Sequence, residues 1–359
     1  MPKFHTLEVI DVRKETEDTV SVAFNVPAEL KEDYEFIQGQ YLTFKTVLGG
    51  EEIRRNYSIC TSPLDNDLRV AVKKVEGGLF STYANEKLKV GDQLEVMTPL
   101  GRFYTELDEG NEKHYVAFAA GSGITPVMAH MKTILAKEPN SEFTLFYGNK
   151  NTASIIFREE IEDLKNKYMN RLRVFHILSR EASEFPFLQG HIDGDKCQKF
   201  FKYFIQPESI DEVFVCGPAP MIDAVKEAMT GAGIDRKNVH FELFASPQQL
   251  AERKGEEPPK PDREGITAHV TIILDGMATE FDMQSEDTNI LDAALKNGAD
   301  LPFACKGGVC ATCRAKIDEG EVAMDVNYSL EPDEVERGFV LTCQSHPTTG
   351  KVVVNFDEA

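Results

Sequence analysis

The chain has 359 residues and a formal net charge of −21, from 60 acidic and 39 basic side chains, which allows two or three domains of ordinary size and excludes nucleic acid as a partner, since phosphate backbones require basic patches. No apolar run approaches the ~20 residues that cross a bilayer, and Met1-Pro2-Lys3-Phe4-His5 lacks the apolar stretch of a secretory signal. The expectation is a cytoplasmic protein, no membrane association, and reduced thiols at Cys60, Cys197 and Cys216, the three of seven cysteines outside the C-terminal group.

In chain order, β-branched and aromatic runs alternate with turn residues at 19–26, 41–47, 53–59, 68–75 and 93–97, which predicts a small antiparallel β-barrel. From 115 onward the pattern changes. Strand-like runs at 115–119, 143–147, 172–178 and 212–216 alternate with helical spacing at 124–136, 155–168 and 220–229. That βαβ series predicts a parallel sheet with helices on its faces. Residues 245–266 carry Pro247, Pro258, Pro259 and Pro261 among Glu, Lys, Arg and Gln, and read as a linker able to span about 70 Å extended or about 25 Å as a coil. A hairpin at 268–274 and 277–283 around Asp275-Gly276, then a helix at 290–297, open the last domain. The expected organisation is a barrel at 1–108, an α/β domain at 109–244, the linker, and a final domain at 267–359.

The sharpest signal lies in that last domain. Cys305, Cys310 and Cys313 stand as C-x4-C-x2-C, with Cys343 about thirty residues on, the plant-type ligand spacing for a [2Fe-2S] cluster. Four thiolates saturate two irons and leave no position for a substrate, so such a centre passes single electrons. Gly307 and Gly308 are expected to let backbone N–H groups turn toward sulfur. A zinc ribbon would pair two C-x2-C knuckles, and only one is present. The loop from Leu301 to Cys313, with Leu341-Thr342-Cys343-Gln344, resembles the cluster segments of plant-type ferredoxins, which implies an α+β, β-grasp domain.

Upstream, Arg55-Asn56-Tyr57-Ser58 matches the R-x-Y-S flavin signature of the ferredoxin-NADP reductase superfamily: a cationic fork for phosphate, a ring to cover flavin, a hydroxyl for its edge. Gly77-Gly78-Leu79-Phe80-Ser81-Thr82 resembles the segment that binds the flavin diphosphate, where glycines and hydroxyls before a helix offer N–H groups to an anion. Read without the resemblance, these are a strand and an ordinary capped turn. Gly121-Ser122-Gly123-Ile124-Thr125-Pro126, between a strand and a helix, resembles the superfamily's nucleotide turn and departs from the dehydrogenase fingerprint by ending in Pro126. Cys216-Gly217-Pro218, with Met221 beyond, resembles its nicotinamide-side motif, the alternative being an inert buried thiol. Ser58 and Cys216 are the catalytic candidates.

Asn149 and Lys150 after the second strand, with Ser179 and Arg180 after the third, are where the resemblance places the adenosine ribose. An arginine with polar neighbours favours the 2′-phosphate of NADPH, while Glu181 leaves NADH open. Phe244 is the candidate aromatic over the flavin, or a simple core residue. The order of domains is similar to that of reductase components of bacterial ring epoxidases, steroid 9α-hydroxylases and related oxygenases, some of which carry FMN in place of FAD. The resemblance implies FAD, a [2Fe-2S] cluster and NAD(P)H as cofactors, and a multi-subunit terminal oxygenase as partner. A flavin reductase or a redox sensor is the reading from a different class.

Overall fold

In the computed structural model, which describes residues 3–183, 185–244, 265–286 and 288–358, the first hundred residues form six strands: β1 (Phe4–Thr16), β2 (Thr19–Asn25), β3 (Tyr41–Leu48), β4 (Glu51–Ser58), β5 (Leu68–Lys73) and β6 (Gln93–Met97). They pair in the order β4-β3-β6-β1-β2-β5. Ile59, just past β4, bridges Val70 of β5, which joins the two ends of the sheet into the expected barrel. Leu7, Val9, Val22, Leu42, Phe44 and Val96 fill it. Helix α1 (Leu79–Glu86) packs Phe80 and Ala84 into the same core. Strand β1 was not expected from the sequence. Only Leu7 and Val9 of its first half are deeply buried, Glu8, Arg13 and Lys14 dilute the alternation, and two register shifts break its pairing with β2.

The α/β part comprises β7 (His114–Ala120), α2 (Ile124–Lys137), β8 (Glu142–Asn149), α3 (Arg158–Lys167), β9 (Leu172–Leu178), α4 (Gly194–Tyr203), β10 (Glu212–Gly217), α5 (Ala219–Gly231) and β11 (Val239–Leu243). All five strands are parallel, in the order β11-β10-β7-β8-β9. Alternation along β7 sends Tyr115 and Ala117 into one core, shared with Met128, Leu145 and the barrel's Cys60 and Phe103, and Val116 and Phe118 into the other. Helix α3 begins three residues later than the sequence suggests. Phe157 sits at φ 58, a left-handed value that a right-handed helix cannot contain, while Ile155, Ile156 and Phe157 plug the core.

Barrel and sheet belong to one compact unit, Lys3–Phe244. Lys132 on α2 reaches Asp65 of the barrel at 2.5 Å and Glu160 of α3 at 2.8 Å. The neighbouring Thr133 hydroxyl donates to Ser62 at 2.9 Å. These contacts fix how the end of β4 faces the parallel sheet.

The second unit carries the expected hairpin as β12 (Thr267–Leu274) and β13 (Met277–Gln284), with Asp275 at φ 56 and Gly276 at φ 67 in the turn. Next come α6 (Ile290–Lys296), β14 (Arg314–Glu319), β15 (Val322–Met324), α7 (Pro332–Glu336), β16 (Phe339–Leu341), β17 (Ser345–Pro347) and β18 (Lys351–Asn355). The main sheet runs β13-β12-β18-β14-β16, with β12 and β18 parallel. Ile290, Leu291 and Ala294 of α6 share its core with Val270, Ile272, Val352 and Val354. The expected linker falls almost entirely on 245–264, outside the described residues. No helix among the described residues is long and apolar enough to cross a membrane.

Candidate active site and cluster loop

From β7 the crossovers run to β8 and β9 in one direction and to β10 and β11 in the other, so the chain reverses at the carboxyl ends of β7 and β10. Open α/β sheets bind their ligands in the crevice at such a point. Gly121, at φ 54, turns the chain off β7 into α2. A Cβ on Gly123 would stand 2.1 Å from the Cys216 carbonyl oxygen, so only glycine lets this turn lie against β10. The Tyr147 hydroxyl donates to the Gly121 carbonyl and the Thr125 hydroxyl to the Ser122 carbonyl, each at 3.0 Å. Thr125 and Pro126 are buried and build the turn, whereas Gly121 and Ser122 stay partly open, beside the first-turn N–H groups that favour an anion. Lys73, at the end of β5, brings its ammonium to 4.0 Å from where a Cβ on Gly121 would lie. It was not singled out from the sequence, because nothing local marks which of Lys73 and Lys74 faces inward.

The parallel register sets Cys216 beside Glu242, and the Ser58 hydroxyl donates to Glu242 Oε2 at 3.0 Å. Burial raises the Glu242 carboxyl to about 7, opposed by the Ser58 hydrogen bond. The same cause holds the Cys216 thiol well above its ordinary range, hence neutral. Ser58, Glu242 and Cys216 thus meet at the switch point. Glu242 was missed in the sequence; its signal was a carboxylate inside the apolar run Phe241-Glu242-Leu243-Phe244. Gly217 permits close packing, since a Cβ there would lie 2.7 Å from Met221 Cε. The Phe244 N–H donates to the Gly217 carbonyl at 3.2 Å, which brings that ring to the core beside Cys216. Pro218 is exposed and opens α5.

Along β4 the side chains alternate. The Tyr57 ring packs at a tilt against Phe80 of α1 at 5.4 Å and Phe44 at 5.9 Å, while Ser58 turns to Glu242. Arg55 is exposed on the Tyr57 side, its guanidinium donating to the Arg54 carbonyl at 2.7 Å, and Asn56 accepts from Thr43 at 2.9 Å. Gly77 is left-handed at φ 72, and a Cβ on Gly78 would stand 2.4 Å from Ser81 Oγ. The buried Ser81 hydroxyl accepts from Val75 N–H at 3.1 Å and donates to the Gly78 carbonyl at 3.3 Å, which closes the loop on itself. Leu79, 55 % exposed, and Thr82, half-buried, remain on the accessible side. The tight glycine loop at a helix start, with Tyr57 packed on the helix that follows it and Arg55 exposed on the same side of β4, fits a flavin nucleotide.

At the outer end, Asn149 is buried with its amide Nδ2 lacking a hydrogen-bond partner. An unpaired buried donor is costly, and an acceptor oxygen from a ligand would satisfy it. Lys150 and Arg180 are exposed, and Ser179 N–H donates to the Asn149 carbonyl at 2.9 Å.

In the second unit the four cysteines fall into two thiol pairs, Cys305 with Cys310 and Cys313 with Cys343. In each, one thiol's hydrogen bond lowers the pKa of its partner, Cys305 and Cys343 being the lowered members. Two thiolates for each of two irons is the donor set of a dinuclear cluster; among the described residues no three such side chains are placed for a single ion. Gly307 N–H and the Thr312 hydroxyl each donate to sulfur, Cys305 and Cys310 respectively, at 3.3 Å, and the Gln344 amide reaches Cys343 Sγ at 3.8 Å. The left-handed positions are Lys306 (φ 51), Gly308 (φ 75) and Ala311 (φ 52), not Gly307. Gly308 is also crowded, with Val326 Cγ2 3.0 Å and the Val326 carbonyl oxygen 3.2 Å from where its Cβ would be.

Comparison with known proteins bears on each part. Residues 6–104 match the oxidoreductase FAD-binding domain, 118–227 the oxidoreductase NAD-binding domain, and 272–348 the 2Fe-2S iron-sulfur cluster binding domain. The chain is 46 % identical over 357 residues, 99 % of either chain, to a 1,2-phenylacetyl-CoA epoxidase subunit from Escherichia coli. To the ferredoxin reductase component of 3-ketosteroid-9-alpha-monooxygenase from Rhodococcus rhodochrous it is 32 % identical, over 98 % of this chain and 96 % of that one. The fold of phthalate dioxygenase reductase covers 98 % of both chains with a TM-score of 0.58 at 21 % identity. Three domains in this order, the cluster cysteines and end-to-end likeness to oxygenase subunits agree, and the chain belongs to the family of FAD-, NAD- and 2Fe-2S-binding oxidoreductases that serve oxygenases as their reductase components.

Proposed function

We propose that this chain draws electrons from NADPH and delivers them singly to the terminal oxygenase of a phenylacetyl-CoA epoxidase. The observation that carries the choice of partner is the 46 % identity along the whole chain with the Escherichia coli epoxidase subunit, against 32 % for the steroid reductase. When bound, FAD and the cluster supply the conversion of a hydride into separate electrons. Arg55, Tyr57, Gly77, Gly78 and Thr82 would hold the flavin, Gly121 to Gly123 with Lys73 the nucleotide diphosphate, and Arg180, Lys150 and Asn149 its adenosine end. With its proton committed to Glu242, the Ser58 oxygen presents lone pairs to the flavin edge. A protonated Glu242 would reverse that polarity. Neutral Cys216 offers the nicotinamide a small uncharged surface. Free, buried Cys60, Cys197 and Cys216 suit a reducing cytoplasm.

Reconstitution tests the partner. With the oxygenase subunits of a phenylacetyl-CoA epoxidase, NADPH consumption should be coupled to epoxide formation. Equal or better support of a 3-ketosteroid hydroxylase would reject this assignment. The flavin contact has its own test. Arg55→Ala should loosen flavin by about tenfold to a hundredfold, the loss of one charge-assisted contact, and dialysis at micromolar protein should then strip it. A variant that keeps its full flavin through dialysis would show that Arg55 does not hold the phosphates.

A further inference from the structure

The loops after β8 and β9 run side by side, with Arg180 N–H donating to the Lys150 carbonyl at 2.7 Å. Directly beyond Arg180, Glu181 turns back onto the first of them. One carboxylate oxygen accepts the Thr152 backbone N–H and the other the Thr152 hydroxyl, both at 2.7 Å. Thr152 opens a short 3₁₀ turn, Thr152–Ser154, whose cap Asn151 exchanges reciprocal bonds with Ser154, so the residue that grips Glu181 is itself anchored.

An acidic side chain at the end of a strand in a dinucleotide-binding sheet bonds the 2′-hydroxyl of the adenosine ribose, and its charge opposes a 2′-phosphate at the same place. Glu181 has the residue type and the position for that role, beside exposed Arg180 and Lys150. Each of its oxygens already accepts a hydrogen bond from Thr152, which turns the carboxylate toward the loop after β8. We propose that Thr152 sets the coenzyme preference of this chain, as a positioning residue that holds Glu181 away from the ribose and leaves Arg180 and Lys150 to receive a 2′-phosphate. This rests on the placement of the adenosine end under Proposed function. It predicts that releasing Glu181 moves the enzyme toward NADH with no change in any residue that touches the nucleotide.

Thr152→Pro removes both donors at once. Proline suits the first position of a helical turn, and Asn151 already has the extended backbone (φ −154, ψ 174) that a residue before proline requires. The readout is the ratio of kcat/KM for NADPH to that for NADH. Thr152→Pro should lower it about tenfold or more, as expected when a freed carboxylate gains one coenzyme and repels the other, and Thr152→Val, which loses only the hydroxyl, about threefold. Thr152→Ser should keep the wild-type ratio. In a Glu181→Gln background Thr152→Pro should change the ratio by less than about twofold, because the charge it releases is gone. If the proline variant does not fold, judged by flavin content, the valine and serine variants decide. A ratio that ignores Thr152→Pro or Thr152→Val but responds to Arg180→Ala overturns the proposal alone. A ratio that ignores Arg180→Ala as well rejects the placement of the ribose on which it rests.

Discussion

Replacing Cys310 with serine should leave a protein that binds flavin and oxidises NADPH with ferricyanide, yet contains almost no iron or sulfide and supports no oxygenase turnover. Cys310 is paired with Cys305, and Thr312 donates to its sulfur. Removing it leaves one iron position with a single thiolate and the loop without one of its fixed sulfurs. The Lys3–Phe244 unit forms its own cores and contains none of the four cysteines, which is why flavin content should be unchanged. The visible bands and the reduced-state EPR signal of a [2Fe-2S] centre report the result. Near-normal iron and sulfide in the variant would mean that Cys310 is not a ligand.

Glu242→Gln should produce two pH effects of known sign. Burial raises the Glu242 carboxyl from 4.5 to about 7, so the folded protein binds a proton there that the unfolded chain has released. Stability therefore falls as pH rises from about 4.5 to about 7, and the deficit is complete above that. Glutamine does not ionise, so the variant should gain denaturant resistance relative to the parent at pH 8 and not at pH 4.5. The second effect is kinetic. The charge on Glu242 decides whether the Ser58 oxygen accepts or donates, so flavin reduction by NADPH should show an inflection near pH 7 in the parent that is lost in the variant, whose rate at pH 8 should be lower by about tenfold, the effect of one hydrogen bond. A variant whose rate and pH profile match the parent would place Glu242 outside the reaction. Cys216→Ala, by contrast, removes a neutral surface and not a charge, so no inflection should be lost.

Much of this was legible because it is local. C-x4-C-x2-C fixes ligand spacing within one loop, and a glycine turn between a strand and a helix carries its phosphate chemistry in a few consecutive residues. The hairpin at Asp275-Gly276 and the βαβ series follow from turn residues and periodicity. What escaped was set by packing between distant segments. Ser58 and Glu242 are 184 positions apart, and only the closed barrel docked on the parallel sheet brings them to 3.0 Å. The bond from Val75 N–H to Ser81, which closes the glycine loop, has no mark in the sequence either. In the cluster loop Gly307 turns its N–H to Cys305 as its place suggests, whereas the left-handed backbone at Lys306 and Ala311, two non-glycine residues, is set by the fold of the loop and carries no local signal. Strand β1 was hidden because charged residues dilute its alternation and only the core, not the pattern, marks Leu7 and Val9.

On the proposed path, electrons leave the flavin through the cluster to reach the oxygenase. Truncation after Phe244 isolates this step, since the remaining chain keeps Ser58, Glu242, Cys216 and both nucleotide elements in one unit. NADPH-driven product formation by the partner oxygenase should be measured with the full chain and with the truncated one, matched for NADPH-to-ferricyanide activity. The full chain should sustain turnover and the truncated chain none, at equal ferricyanide rates. Equal turnover from both would place the cluster off the electron path.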